Sequence, residues 1–138
     1  MNRTSISPDR GLGGEGSRGF SLVEVLTVIL IIAILAAIAV PLYISQKEKG
    51  YEAATRSALR NGATAMESYA SRNEGDYSGA SVAVLQSDEE LEISPGVSLD
   101  LPAGSLSSSS YCLEAAHVAL SQPWHYASGD GAPRPGAC

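Results

Sequence analysis

Phe20-Ser21-Leu22-Val23-Glu24-Val25-Leu26-Thr27-Val28-Ile29-Leu30-Ile31-Ile32-Ala33-Ile34-Leu35-Ala36-Ala37-Ile38-Ala39-Val40-Pro41-Leu42-Tyr43-Ile44-Ser45-Gln46 is the stretch that decides the fold. After Glu24 no charged residue occurs until Lys47, so the apolar run reaches the roughly 20 residues that an α-helix needs to cross a bilayer. The reading is a membrane helix. Its one acid is Glu24, and a carboxylate at membrane depth is costly enough to be read as functional, with a partner to be named. The segment holds no cation. Arg18 lies just before it, and a cut between Gly19 and Phe20 creates another, the new α-amino group of Phe20.

Upstream, Met1 to Gly19 is rich in glycine and charge and has no apolar run, so it reads as disordered and removable. A secretory signal carries its apolar region ahead of the cleavage site; here the cut precedes the apolar region, which therefore survives processing.

Arg18-Gly19-Phe20-Ser21-Leu22-Val23-Glu24, leading into an apolar helix with Pro41, resembles the N-terminus of type IV pilins and the related pseudopilins. The resemblance implies cleavage after Gly19 by a prepilin peptidase and N-methylation of Phe20. It implies that Glu24 and Phe20, with Pro41 in the helix, guide assembly into a helical filament of identical subunits. It also implies an assembly platform and motor proteins as partners. Before assembly the chain would sit as a single pass in the inner membrane, and afterwards in a pilus at the cell surface. One departure is Ala33, in a region where many members carry a glycine; Pro41 is left as the helix breaker of the segment. The expected function is a structural pilus subunit and not an enzyme. A pseudopilin of a secretion or DNA-uptake machine is the alternative, followed by a membrane-anchored binding protein that does not polymerise.

The expected organisation is a leader over 1–19, a membrane and filament-core half-helix over 20–46, and a globular head over 47–138. The expected fold class is α+β and pilin-like: a long N-terminal helix packed on a small antiparallel sheet, with a C-terminal disulfide loop. At 138 residues with one membrane helix, the chain has room for one small core. The formal net charge is −6, and removal of Met1 to Gly19 takes away Arg3, Arg10 and Arg18 with Asp9 and Glu15, leaving the remainder one unit more negative. Non-specific nucleic-acid affinity comes from cations displacing counterions, so DNA binding is not predicted by charge. Cys112 and Cys138 lie in the outward-facing part, where disulfides persist, and are read as a pair.

Beyond Gln46 the pattern becomes amphipathic. Thr55, Leu59, Ala63, Met66 and Ala70 recur at helical spacing, flanked by Tyr51, Ala58 and Tyr69, so the helix runs to about Ser71 with this stripe facing a sheet. Gly62 in that stripe costs about 1 kcal/mol against alanine and marks close packing. Asn73-Glu74-Gly75-Asp76 supplies a stop. Val82 to Leu85 reads equally as a strand or a helical turn. Glu90 to Ile93 and Val97 to Leu101 read as a hairpin around Ser94-Pro95-Gly96. Tyr111 to Leu120 alternates poorly, and a strand is preferred to a helix because Trp124-His125-Tyr126 reads as its returning partner. The tail from Ser128 to Ala137 has no residues with which to build a core.

Other chemistry has thin support. His117, His125 and Cys112 fit no tight metal spacing, and the cysteine is better used in a disulfide. Asp130 between glycines lacks the several oxygen ligands that calcium requires, and a solvated turn is the better reading. No Gly-x-Ser-x-Gly elbow is present. Tyr43, Tyr51, Tyr69 and Tyr77 invite an electron-conduction reading, but large buried area is the simpler use of an aromatic ring. No cofactor and no metal are expected.

Overall fold

The computed structural model describes residues 19–138; the expected leader, apart from Gly19, lies outside the described residues. Helix α1 spans Leu22–Arg72 with Pro41 inside it, and it is long and apolar enough in its first part to cross a membrane. In lipid every backbone amide must be satisfied within its own segment, which a helix does and an irregular chain does not. Along residues 22–44 the large apolar side chains are exposed on all faces, as suits a segment whose solvent is hydrocarbon.

The C-terminal part of α1 has a different solvent. Thr55, Ala58, Leu59, Gly62, Ala63, Ala65, Met66 and Ala70 are buried, the expected stripe. Its end is closed by Gly75, whose N–H donates 2.8 Å to Ala70 O with φ at +88°, and by the Asn73 side chain, which donates to Tyr69 O at 2.8 Å. A left-handed residue after the last turn satisfies carbonyls that the helix leaves free, and glycine adopts it at least cost. Val82–Asp88 forms helix α2, capped by Ser81, whose hydroxyl accepts from Val84 N. Arg72 donates to Asp88 O and pairs with Glu89, joining the ends of the two helices.

Four antiparallel strands follow in a meander: β1 Val97–Asp100, β2 Cys112–His117, β3 Trp124–Ala127 and β4 Arg134–Pro135, ordered β1-β2-β3-β4. The fold is therefore α+β, a long apolar helix whose C-terminal part packs on a small antiparallel sheet, with a disulfide between Cys112 and Cys138. Leu59, Met66, Leu85 and Leu113 are fully enclosed at the centre of the core.

Two expectations need correction. The hairpin does not form: Ser94-Pro95-Gly96 does turn, with Val97 N donating to Ser94 O and Gly96 at φ +81°, but residues 90–93 are not a strand. Leu91 N is committed to Leu85 O at the end of α2, and Leu91 is buried in the core, so β1 pairs with β2 instead. The tail is also more than a disulfide tether. Arg134–Pro135 adds β4 to β3, and Gly136 N donates to Pro123 O at 2.8 Å.

Candidate functional site

The site is the start of α1. Ser21 is the residue before its first turn and Glu24 lies three residues on, the arrangement of a capping box. Glu24 Oε2 accepts from Ser21 N at 3.4 Å, and Val25 N donates to Ser21 O at 3.2 Å. The acid also stands in the first turn, where the helix dipole favours negative charge. Glu24 thus has a task within its own helix that the sequence reading missed. The signal was present as Ser21-x-x-Glu24.

Phe20, just before the helix, and Glu24, in its first turn, both line a shallow apolar groove of about 310 Å³ with Val25, Val28 and Ile29. Phe20 is 83% exposed, and among the described residues Glu24 has no ion pair. At Gly19 a Cβ would meet nothing within 4 Å, so the glycine is not required by packing of the described chain against it. Pro41 lies within α1, whose helical span runs through it.

The other singled-out residues go elsewhere. Cys112 and Cys138 are bonded, their Cα atoms 6.0 Å apart, within the usual range for a bridge. His117 stacks on Tyr51 at 4.2 Å between ring centres and accepts from Ala119 N through Nδ1. His125 faces Gly136 O through Nδ1 at 3.0 Å and Asp130 through Nε2 at 3.7 Å, while Arg134 lies 3.4 Å from the other oxygen of Asp130. The two histidines and the cysteine therefore serve three separate contacts. Tyr77 and Tyr111 both donate to Glu67 and lie 4.9 Å apart, part of the packing of the core edge.

Comparison with family models matches residues 16–40 to the prokaryotic N-terminal methylation motif. No curated protein matches the chain. The matched segment holds the Gly19-Phe20 bond, Glu24 and most of the apolar run, and it fits a membrane-anchored protein that is processed by a prepilin peptidase and assembles into filaments. It points to a structural subunit in place of an enzyme. The match over residues 16–40 supports a class III signal peptide of the kind found in type IV pilins and pseudopilins.

Proposed function

We propose that the chain is a structural subunit of a type IV pilus, held in the membrane by residues 20–46 and polymerised through its N-terminal helix into a helical filament. The observation that carries the reading is that Phe20 and Glu24 line one apolar groove at the start of an apolar helix, with no cation on Glu24 among the described residues. Cleavage after Gly19 puts a positive amine at Phe20, and Glu24 of one subunit neutralises that amine on the next. A buried carboxylate and a buried amine are each costly alone and tolerable together. Residues 1–19 are the leader, 20–46 the membrane and filament-core half of the helix, and 47–138 the head. Prepilin peptidase, an assembly platform and motor proteins act on the chain in turn.

Intact-mass measurement tests the first step: the mature subunit is expected to begin at Phe20 with one methyl on its amine. A retained leader would overturn the reading. Electron microscopy of sheared surface material tests the second, with long fibres containing this subunit expected. A pseudopilin shares the processing but leaves no long surface fibre, so mature subunit without fibres would move the assignment to that role.

A further inference from the structure

Tyr43, Lys47 and Tyr51 stand one turn apart along α1, where the apolar span gives way to the head. Lys47 Nζ lies 5.9 Å from the centre of the Tyr43 ring and 5.8 Å from that of Tyr51. His117, at the end of β2, is 8% exposed and stacks on Tyr51 with ring planes 19° apart. From this anchor the chain turns. Ala119 N donates to His117 Nδ1 at 3.0 Å, Leu120 N donates to His117 O at 2.9 Å, and Val118 N donates to Gly96 O at 3.1 Å. The turn Val118-Ala119-Leu120 is thus held by three hydrogen bonds and a ring stack. Ala119 shares a groove with Ile44, Lys47, Glu48 and Tyr51, which puts the turn beside the end of the apolar span.

Val118 is 89% exposed, and beyond Ile44 it is the one large apolar side chain on the exposed surface among the described residues. A firmly held turn with a bare valine at its tip has no packing use within this chain. Its surroundings match a membrane interface: tyrosine rings favour the headgroup level, and a lysine there lays its stem along apolar surface and keeps its ammonium in water. Lys47 and Lys49 are balanced by Glu48 and Glu52, so removal of apolar surface from water outweighs attraction to anionic lipid.

We propose that Val118-Ala119-Leu120 is a membrane-contact tip, which in the unassembled subunit rests in the headgroup layer of the bilayer that holds residues 20–46. The tip rests on the reading of residues 20–46 as a membrane segment. It gives the head a second point of contact with the bilayer, beside the helix, and so limits how far the head can tilt before it is taken into a filament.

Nitroxide accessibility in phosphatidylcholine vesicles tests it, because these zwitterionic headgroups leave apolar burial as the main attraction. The full-length chain is labelled singly at Val118→Cys or Ala119→Cys, with Cys112 and Cys138 already paired. Gln86→Cys in α2, which flanks α1 at Thr64 and Ser68, is the aqueous control; Thr64 lies roughly 25 Å further along α1 than Lys47 at helical rise. Ile34→Cys in the apolar run is the lipid control. The expected result is a ratio of oxygen to nickel-chelate relaxation at 118 and 119 between those at Ile34 and Gln86. A ratio equal to that at Gln86, with Ile34 in lipid, would overturn the tip alone. A water-exposed Ile34 would overturn the membrane segment, and the tip with it. Protection of 118 that develops only in filaments would assign the turn to a second copy and also overturn the proposal.

Discussion

At Gly62 the helix lies close against the sheet: a Cβ there would meet Leu113 Cδ1 and Leu99 Cδ2, each at 3.1 Å. Helix propensity favours alanine by about 1 kcal/mol, and the two leucines must yield a few tenths of an ångström to admit it, so Gly62→Ala is expected to be close to neutral. Gly62→Leu has no such compensation and is expected to cost about 1 to 3 kcal/mol by overpacking, read as a lower melting temperature in near-UV circular dichroism. Tyr111 is a second residue whose surroundings dictate a response. It is 3% exposed, and burial, reinforced by the negative Glu67 that its hydroxyl contacts at 3.2 Å, raises its phenol pKa. The folded value lies above the unfolded one, so this stabilisation is complete below about pH 10 and is lost as pH climbs further, when the unfolded chain sheds the proton first. Tyr111→Phe is expected to flatten the alkaline fall in stability and to cost about 1 kcal/mol at neutral pH, because Glu67 keeps the hydroxyl of Tyr77. Thermal unfolding followed across the alkaline range checks both, and an unchanged alkaline limb would show that another group governs it.

Among the elements, the C-terminal loop shows how separate weak ties add to one strong one. The bridge joins residues 26 apart in sequence, and within the loop β4 pairs with β3, Asp130 lies between His125 and Arg134, and Cys138 N donates to Glu114 Oε2 at 3.2 Å. In the chain-entropy account a loop of this length loses about 3 to 4 kcal/mol when opened. Cys138→Ser is therefore expected to lower the melting temperature and to admit protease between Ser128 and Ala137, while the Gly136 contact to Pro123 slows the cutting. Limited proteolysis with mass mapping reads this out; a resistant tail would mean that β4 holds without the bridge. The first turn of α1 is the other element with two demands on it, since Glu24 caps the helix that it is proposed to connect to the next subunit.

At the scale of the whole molecule, and of the filament proposed for it, those two demands on Glu24 can be separated. Glutamine at this position retains the capping geometry, which accepts either glutamate or glutamine, but removes the charge. Alanine removes both and is easier to hold in lipid than glutamate, so it should not impair insertion. If Glu24 neutralises the Phe20 amine of a neighbour, both variants leave that amine unpaired in an apolar core, at a penalty of about 3 to 5 kcal/mol per subunit. Both are then expected to be inserted and processed but to yield little sheared filament relative to membrane-held subunit. Glu24→Gln assembling normally while Glu24→Ala fails would assign the residue to helix capping, and normal yield from both would remove the pairing mechanism.

The long apolar helix and the N-terminal methylation motif were legible in the sequence because each depends on residues close together in the chain. Glycine, phenylalanine and glutamate stand at fixed offsets before an uninterrupted apolar run, and a helix in lipid satisfies its backbone locally. The buried stripe from Thr55 to Ala70 was legible for the same reason, through its helical spacing. β2 was harder to read, since its buried face is Leu113, Ala115 and His117, two of which carry little apolar signal. Strand partners were decided only in three dimensions. Val97 to Asp100 has an alternation that would suit either neighbour, and it pairs with β2 because Leu91 is drawn into the core and its N–H is committed to α2. β4 is two residues long and carries no local pattern; it exists because the bridge to Cys112 and the carbonyl of Pro123 hold it against β3. The side-chain period of a strand tells which face is inward, whereas its partner is set by which other segment has free backbone groups at the right place.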